Sequence, residues 1–294
     1  MTCRILVLLA AYNGKKWIDE QLNSILSQEN VSVDILVSVD LSSDHTFDYI
    51  EKKYPTVNLL AYGKKYGSAG KNFYRLMLDA EFSPYDYIAF ADQDDIWLSD
   101  KLSHAVNVIR ENNIDAYSGN VTAFWDNGRQ SLINKSQPQV DYDYFFEAAG
   151  PGCTYVFNKK LALAFQQFLR AVPESRNVAL HDWLIYAYAR SNHYRWIIDK
   201  ESKMLYRQHE NNQVGANESF SAAYKRFQLA KDGWYKKEVL KLIGLFKCDN
   251  TLLVKKIRRK SWIPSLYIIL NIYKIRRRPR DRFAFLIFHI MRLI

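Results

Sequence analysis

Three carboxylates lie within four residues of one another in the segment ADQDDIW, at Asp92, Asp94 and Asp95. They directly follow an apolar run over residues 87–91, which is typical of a buried strand. Like charges this close repel each other unless solvent or a divalent cation neutralises them, and oxygen ligands suit Mg²⁺ or Mn²⁺ rather than zinc. A solvated turn or a helix cap explains most isolated Asp-x-Asp pairs. The position at the end of a strand favours a metal site, with Asp94 and Asp92 as the predicted ligands.

Two other loops carry side chains that suit a nucleotide. Tyr12 follows the first predicted strand in the segment AAYNG, where its ring can stack on a base. Asp40 follows the second strand, where it can accept a hydrogen bond from a base N–H or a ribose hydroxyl. Ser43 and Asp44 are better explained as caps of the next helix. The predicted nucleotide-binding residues are Ala11, Tyr12, Asn13, Asp40, Lys71, Asp92 and Gln93.

These loops occur where a parallel α/β sheet binds its ligands. Apolar runs occupy residues 5–10, 35–39, 57–61 and 87–91, and helix-like segments lie between them at 16–28, 44–54 and 72–80. The alternation predicts an α/β domain whose parallel strands are covered by helices on both faces. In such sheets the ligand lies beyond the carboxyl ends of the strands, so we expect the three loops to meet there.

The later part of the body is less regular. The segment 124–143 is polar, with the turn signals Asn127-Gly128 and Pro138, and the sequence Gly150-Pro151-Gly152 predicts a turn. Beyond it we expect a strand at 154–158, helices at 159–171 and from about Asp182, and strands at 195–198 and 204–207.

The segments AAYNG, VDLSS and DQDD, in this order, resemble the glycosyltransferase family 2 enzymes. LHDW at 180–183 resembles the site of the family's catalytic base, while YRQHENNQVGA at 206–216 and GKNF at 70–73 are similar to its rhamnosyltransferase-like branch. The resemblance covers about residues 1–215. It implies the GT-A fold, a Rossmann-like, mainly parallel sheet flanked by helices, and transfer of one sugar from a nucleotide-diphosphate sugar to an acceptor.

The resemblance also implies roles for particular residues. Asp182 would be the catalytic base of an inverting reaction, although a carboxylate at this point also suits a helix N-terminus. His209 would join Asp94 and Asp92 around Mn²⁺ or Mg²⁺, whereas a lone histidine is otherwise usually a surface or satisfied side chain. Lys71 or Arg207 would bind the phosphates. The predicted donor and acceptor pocket comprises Asp95, Trp97, Gly152, Cys153, His181, Trp183 and Arg207.

The sequence departs from the family pattern at three places. Val39 replaces the first Asp of the usual Asp-Asp-Gly-Ser loop and Leu41 replaces its Gly, which leaves Asp40 as the sole acid there. Glu210 replaces the Gly of the Gln-His-Gly-Asn-Asn stretch, where a positive φ would strain a glutamate. An inactive nucleotide-binding module on the same fold is therefore an open alternative.

The net charge of +10 over the 294 residues is unevenly distributed. Residues 220–294 carry 19 Lys and Arg against 4 Asp and Glu, a net +15, and the remainder is mildly acidic. We therefore predict two regions, a catalytic domain at 1–218 and a basic amphipathic helical region at 219–294. Apolar residues of 267–273 beside the basic cluster 274–278 favour contact with an anionic membrane surface, unless these faces pack on the catalytic domain.

The resemblance to glycosyltransferase family 2 also implies the partners. They are a nucleotide-diphosphate sugar and a lipid-linked or growing glycan acceptor in cell-surface polysaccharide biosynthesis. The donor that the resemblance implies is dTDP-rhamnose, with UDP-hexoses as the alternative. No nucleic-acid motif accompanies the basic tail, so nucleic-acid binding is the rival interpretation rather than the prediction. Widely spaced cysteines and the lack of a membrane-spanning segment predict a cytoplasmic protein at the inner face of the membrane. The sequence leaves homo-oligomer formation open.

Overall fold

The structure is a computed structural model that describes residues 2–209, 228, 231–246, 255 and 266–291. These residues form one mixed sheet of nine strands with helices packed on it. The strands are β1 Cys3–Ala11, β2 Val31–Val39, β3 Asn58–Leu59, β4 Tyr87–Ala91, β5 Ile96–Trp97, β6 Ala116–Phe124, β7 Gln130–Ile133, β8 Val156–Asn158 and β9 Trp196–Arg207. The helices are α1 Ile18–Leu26, α2 Thr46–Lys53, α3 Ala69–Asp79, α4 Lys101–Glu111, α5 Lys159–Ala171, α6 His181–Ser191, α7 Trp234–Leu245, α8 Leu266–Leu270 and α9 Pro279–Ile290.

The parallel part of the sheet sets the position of the functional loops. The strand order is β3-β2-β1-β4-β8-β6-β9-β5, with β7 paired to β6. β1 runs parallel to β2, with Ala11 opposite Val39, and parallel to β4, with Leu9 opposite Ala91. Because these three strands point the same way, the loops that follow them emerge at one edge of the sheet.

Both faces of the sheet are buried, as the continuous apolar runs indicate. Along β1, Leu6 and Leu8 contribute to one hydrophobic core while Ile5 and Val7 contribute to the other, because successive side chains point to opposite faces. A strand covered on both faces has no polar side to expose, which explains its uninterrupted apolar sequence.

The predicted α/β sheet is confirmed, and the differences lie in the second half of the body. The expected strand at 57–61 shortens to the two residues of β3, and the two segments at 195–198 and 204–207 form the single strand β9. β9 pairs with β6, and β6 pairs with β7, so part of the polar segment from 124 onwards belongs to the sheet. A short 3₁₀ turn at Gly152–Thr154 precedes β8.

The C-terminal helices pack on the same hydrophobic core as the sheet. Val239 and Leu242 of α7, Ile275, and Phe285 of α9 all belong to the core that also contains Leu6 and Leu8. The predicted boundary at 218 lies outside the described residues. The sequence left open whether the apolar faces of the C-terminal region contact a membrane or pack on the rest of the chain. These four side chains pack on the rest of the chain.

A buried ion-pair network ties this C-terminal region to the body. The guanidinium of Arg277 lies 2.9 Å from the carboxylate of Asp143, and both side chains are almost completely buried. Arg190 and the Tyr186 hydroxyl contact the same carboxylate, at 3.1 and 2.9 Å. Since a buried carboxylate left without its partners is strongly destabilising, Asp143 fixes the position of the chain around Arg277.

Two absences concern the described residues alone. None of the helices described is long and apolar enough to cross a membrane. Cys3 and Cys153, the two cysteines among the described residues, are buried free thiols.

Candidate active site

A cleft of about 850 Å³ opens at the carboxyl ends of β1, β2 and β4. Its walls include Tyr12 and Asn13 after β1, Asp40 after β2, and Asp92 to Asp94 after β4. The first turn of α6, with His181 and Asp182, forms another part of the wall. The structure thus brings together side chains that stand up to about 170 residues apart in the sequence, as expected for strand-end loops of an α/β sheet.

Gln93 holds the loop after β1 in place. Its side-chain carbonyl accepts a hydrogen bond from the Tyr12 N–H at 2.7 Å, and its amide donates to the Tyr12 carbonyl at 2.9 Å. The Tyr12 ring remains 54% exposed, so it is available to a ligand. Gln93 lines the cleft, but both of its polar groups are engaged with the backbone of this loop.

Asn13 connects the loops that follow β1 and β2. It adopts a positive φ of 47°, a conformation that asparagine tolerates better than most residues. Its N–H donates to the Ser42 hydroxyl at 3.0 Å, and its side-chain oxygen accepts from the Ser43 N–H at 2.8 Å. The N-cap position of α2 is His45 rather than Ser43 or Asp44, although Asp44 accepts a hydrogen bond from the Thr46 N–H at 3.0 Å.

Asp40 is buried at the cleft floor and organises the loop before α3. Its carboxylate accepts hydrogen bonds from the backbone N–H groups of Leu41 at 2.8 Å, Tyr66 at 2.6 Å and Gly67 at 2.7 Å. A carboxylate offers about four lone-pair sites, so three of them are used within the protein and one remains for a ligand donor. Asp40 therefore shapes this end of the cleft whether or not it contacts a ligand.

The acidic loop after β4 is under electrostatic strain. Burial, together with the neighbouring carboxylates of Asp94 and Asp182, raises the pKa of Asp92 to about 7. Burial and the charges of Asp94 and Asp92 raise the pKa of Asp95 as well. A divalent cation at this point would relieve the repulsion, because it favours the ionised form of every carboxylate around it.

The His209 side chain contacts the carboxylate of Asp94. The imidazole Nε2 is 2.6 Å from a carboxylate oxygen of Asp94, and the ring stacks on Trp17 with 4.3 Å between ring centroids. The described part of the chain that begins at residue 2 ends at His209, so the remainder of the YRQHENNQVGA segment lies outside the described residues. Asp92, Asp94 and His209, the three predicted metal ligands, all line the cleft.

The side chains at this point fit a hard divalent cation. The ligand atoms of Asp92, Asp95 and Cys153 lie within 4.8 Å of one another. Burial keeps the pKa of the Cys153 thiol well above its usual value, so this sulfur is protonated and a poor ligand. The carboxylates of Asp92 and Asp94, which line the cleft, are the ligands that Mg²⁺ or Mn²⁺ prefers, and His209 contacts Asp94.

Asp182 begins the opposite wall, in the first turn of α6. Its carboxylate accepts a hydrogen bond from the Trp183 N–H at 2.8 Å, and burial raises its pKa to about 6. A carboxylate with this pKa is ionised at neutral pH and basic enough to take a proton from a hydroxyl as it reacts.

Gly70 lets α3 approach the segment before α6, because a Cβ at this position would lie 2.3 Å from the Ala179 carbonyl oxygen.

His181 contributes a neutral ring to the cleft. Burial lowers its pKa to about 3, and the imidazole stacks on Phe73 with 3.8 Å between centroids. Gly152 lies against this turn, since a Cβ on Gly152 would be 2.9 Å from His181 Nε2 and 3.0 Å from Asp182 Cβ. The glycine thus sets how closely the 150–152 loop approaches the carboxylate.

Gly152→Ala is expected to displace Asp182 without disturbing the loops that follow β1 and β2. The added methyl group must push His181 or Asp182 aside, and a misplacement of about 1 Å can cost on the order of 10²-fold in rate. Turnover should fall while nucleotide-diphosphate binding stays unchanged. The matched control is Gly244→Ala in α7, where a Cβ meets nothing within 4 Å. Full turnover in Gly152→Ala would show that this contact does not position the base.

Several predicted pocket residues lie behind the cleft rather than on its walls. Asp95 and Cys153 are fully buried, and the Asp95 carboxylate accepts a hydrogen bond from the Arg207 N–H at 3.1 Å. Trp97 is buried under the ammonium of Lys101, and Trp183 donates its indole N–H to the Tyr144 carbonyl. These side chains support the walls from within, because they are buried and their surface contacts other parts of the protein.

Two predicted phosphate-binding cations also point elsewhere. Arg207 is buried, and its guanidinium contacts Glu20 at 3.0 Å and the Asp94 carbonyl at 2.9 Å. Lys71 is exposed in the first turn of α3 and is not part of the cleft wall among the described residues. Lys65, which the sequence did not single out, lines the cleft instead.

The far end of the cleft has walls that the sequence did not predict. They comprise Lys135, Glu147, Arg276 and Asp281, together with the apolar Ile133 and Ala148. Arg276 belongs to a basic cluster that was interpreted as facing a membrane. Arg276 and Asp281 stand more than 90 residues after Asp182 in the sequence. A cation and an anion in one basic cluster do not by themselves indicate contact with so distant a site.

Comparisons with known proteins identify the family of the chain. The profile of glycosyl transferase family 2 matches residues 6–148. A dTDP-rhamnosyl transferase, RfbG of Shigella flexneri, is 45% identical over 290 residues, which cover 97% of this chain and 100% of the relative. The glucosyltransferase WfgD of Escherichia coli, which uses UDP-Glc and a GlcNAc-diphosphoundecaprenol acceptor, is 29% identical over 54% of this chain and 62% of its own.

Solved structures show the same fold. S. aureus TarS in complex with UDP-GlcNAc has a TM-score of 0.54 and 17% sequence identity, with 96% of this chain and 83% of that chain covered. A mannosyltransferase from Pyrobaculum calidifontis in complex with GDP-Man and Mn²⁺ has a TM-score of 0.53 and 14% identity over 98% of this chain and 86% of that one. At this identity the likeness supports the GT-A-like fold alone. With the near full-length relative and the family profile, it follows that the chain belongs to glycosyltransferase family 2 and is a hexosyltransferase that uses a nucleotide sugar.

Proposed function

We propose that the protein transfers one rhamnose from dTDP-rhamnose to a lipid-linked glycan, with inversion at the anomeric carbon and with Mn²⁺ or Mg²⁺ as cofactor. The observation that carries the reaction type is the convergence of Asp92, Asp94 and Asp182 on one cleft at the ends of parallel strands. The choice of donor is supported by the 45% identity to a dTDP-rhamnosyl transferase over its whole length.

The two walls of the cleft have complementary tasks in this proposal. A cation held by Asp94 and Asp92, with His209, would stabilise the negative charge that builds up on the departing diphosphate. Asp182 takes the proton of the acceptor hydroxyl as its oxygen attacks the anomeric carbon. A single base without an enzyme nucleophile gives direct displacement, which inverts the configuration of that carbon.

A donor screen tests the choice of sugar. The purified protein is incubated with Mn²⁺, synthetic diphospholipid-linked glycans and either dTDP-rhamnose, UDP-Glc or UDP-Gal, and release of the nucleotide diphosphate is measured. We expect release from dTDP-rhamnose to exceed that from the UDP-hexoses. A preference for UDP-Glc would favour the second candidate, a UDP-hexose-dependent enzyme, which the similarity to WfgD supports.

Ligand protection separates this proposal from the other class of function. We expect dTDP with Mn²⁺ to raise the melting temperature, since a ligand that binds only the folded state stabilises it. Protection by oligonucleotides alone would refute the transferase proposal and favour a nucleic-acid-binding protein.

We further propose that the C-terminal region rests on the inner face of the cell membrane, where a lipid-linked acceptor would be found. Large apolar side chains of α8 and α9 are exposed, among them Leu270, Phe283 and Ile287. Phe283 and Ile287 stand one turn apart on α9 and thus share one helix face. Arg280, also exposed, adds positive charge near this face, which suits anionic lipid headgroups.

Replacing Leu270 and Phe283 together with Gln is expected to weaken binding to anionic liposomes by about tenfold or more. Burying a leucine or phenylalanine side chain contributes about 1.5–3 kcal/mol, and neither of these side chains is part of the core. Co-sedimentation with liposomes measures the effect. The control pair is Leu132→Gln with Leu163→Gln, which removes exposed apolar side chains from the body. Equal losses in the two double variants would contradict the proposed membrane face.

A further inference from the structure

The far end of the cleft is built from three separate parts of the chain. Lys135 follows β7, Glu147 precedes the 150–152 loop, and Arg276 and Asp281 belong to the C-terminal region. None of these residues is explained by the donor-side chemistry, since the carboxylates and His209 lie after β4 and β9. Four charged side chains nevertheless line the same cleft as Asp182.

This end of the cleft adjoins the catalytic base. The Lys135 side chain lies against Gly150, where an added Cβ would be 3.6 Å from Lys135 Cβ, and Gly152 in the same loop lies against Asp182. The positive charge of Lys135 also opposes the rise in the Asp182 pKa that burial causes. Lys135 therefore stands between Asp182 and the C-terminal region.

The charged side chains at this end of the cleft are held by contacts with one another and with the backbone. Some of their hydrogen-bond donors and acceptors remain available to a ligand. Glu147 accepts a hydrogen bond from the Arg277 N–H at 2.7 Å, while Arg276 donates to the Phe146 carbonyl and lies 3.8 Å from Asp281. The Arg276 Nε is buried without a hydrogen-bond partner among the described residues. A buried donor of this kind costs free energy unless a ligand or water accepts from it.

We infer that Lys135, Glu147, Arg276 and Asp281 form the subsite for an uncharged sugar unit of the acceptor, next to Asp182. Among the four charged side chains that line this part of the cleft, two cations and two carboxylates balance, so these four alone give no net attraction to a phosphate. Alternating charged donors and acceptors instead suit the hydroxyl groups of a sugar, which both donate and accept. The apolar Ile133 and Ala148 offer surface to its C–H groups. The inference rests on the proposed function, because it assigns this end of the cleft to the acceptor.

The assignment changes the role of the C-terminal region. Arg276 and Arg277 turn inwards, towards the cleft and towards Asp143, so only part of the basic cluster faces outwards. The same segment therefore completes the acceptor subsite and leaves α8 and α9 with exposed apolar side chains. A lipid-linked acceptor would meet both surfaces at once.

Binding of simple glycosides tests the subsite separately from transfer. The probes are methyl and octyl glycosides of neutral hexoses and deoxyhexoses, with the corresponding glycosyl phosphates as the anionic comparison. Saturation-transfer NMR on the full chain, saturated with dTDP and Mn²⁺, detects binding. The variants are Lys135→Met and Asp281→Asn, and the controls are Lys52→Met and Glu51→Gln on the exposed face of α2.

We expect at least one neutral glycoside to bind the unmodified protein. Both cleft variants should weaken that binding by about tenfold or more, as the loss of a charged hydrogen bond predicts, while the α2 controls bind normally. Protection by dTDP and Mn²⁺ should be the same in all four variants, which also shows that they are folded.

Three outcomes would overturn the inference while leaving the donor side intact. These are normal glycoside binding in both cleft variants, binding of glycosyl phosphates but not of neutral glycosides, and no glycoside binding to a protein that dTDP and Mn²⁺ protect. Failure of dTDP to protect the unmodified protein would instead refute the proposed function itself.

Discussion

Asp94→Asn is expected to lower the rate of sugar transfer by about 10³-fold or more, the scale on which loss of a group that stabilises leaving-group charge acts. The carboxylate of Asp94 lines the cleft and lies 2.6 Å from His209. Its amide replacement keeps the shape but removes the negative charge and one metal-ligating oxygen. Nucleotide-diphosphate release under saturating donor, with Mn²⁺ titrated, measures the loss.

The same variant should lose the metal dependence of nucleotide binding. In the unmodified protein, dTDP with Mn²⁺ should raise the melting temperature more than dTDP with EDTA, by several degrees at about 100 times the dissociation constant. Asp94→Asn should show equal melting temperatures in the two conditions. Asp126→Asn, at an exposed carboxylate on the turn after β6, is the matched control. Metal-dependent protection that survives in Asp94→Asn would remove this residue as a ligand.

The parts of the fold that the sequence predicted are those in which local pattern and tertiary environment agree. β1 and β4 are buried on both faces, so their continuous apolar sequence indicates both strand and burial. Asp92 and Asp94 follow directly after β4, so the end of this strand also predicted their position at the edge of the sheet. Because ligands bind at the carboxyl ends of the strands in a parallel sheet, the order of these strands is almost enough to locate the functional edge.

Elements that depend on partners were harder to predict. β7 is a four-residue strand with alternating exposure, and its place in the sheet comes from pairing with β6. A short strand of this kind acquires its structure from contacts with distant residues, and a single sequence does not state those contacts. The helix α4 is different, because it was not predicted although its buried residues Leu102, Ala105, Val106 and Ile109 fall at the three- and four-residue spacing of one helix face.

Within the site, the sequence identified the kinds of residue better than their tasks. Asp40 was predicted as a nucleotide ligand, yet three of its acceptor positions hold backbone N–H groups of its own protein. Trp97 and Cys153 stand near functional residues in the chain but lie behind the cleft wall. Arg276 reaches the cleft from the C-terminal region, through a fold that brings together residues far apart in sequence. The spacing of a motif predicts which loop carries functional residues, but it does not predict which side chains pack behind that loop.

Asp182→Asn is expected to lower transfer by about 10²- to 10⁴-fold, the range typical of a lost general base, while dTDP binding with Mn²⁺ is retained. The amide fills the same space and can still accept the hydrogen bond from the Trp183 N–H. It cannot take a proton from an acceptor hydroxyl. Because burial raises the pKa of Asp182 to about 6, its carboxylate is neutral below that pH and ionised above it. The unmodified enzyme should therefore lose kcat/KM about tenfold per pH unit below about pH 6, and the residual activity of the variant should lack this step.

Stability provides the control for the same variant. The folded-state pKa of Asp182 lies above its ordinary value of 3.8, so ionisation of this carboxylate opposes folding as the pH rises from about 4 to above 6. At pH 8, Asp182→Asn removes that unfavourable charge, and the melting temperature should be equal to or higher than that of the unmodified protein. A large loss of activity in a variant that is at least as stable cannot come from unfolding. Undiminished turnover in Asp182→Asn, or a pH profile identical to that of the unmodified enzyme, would exclude Asp182 as the base.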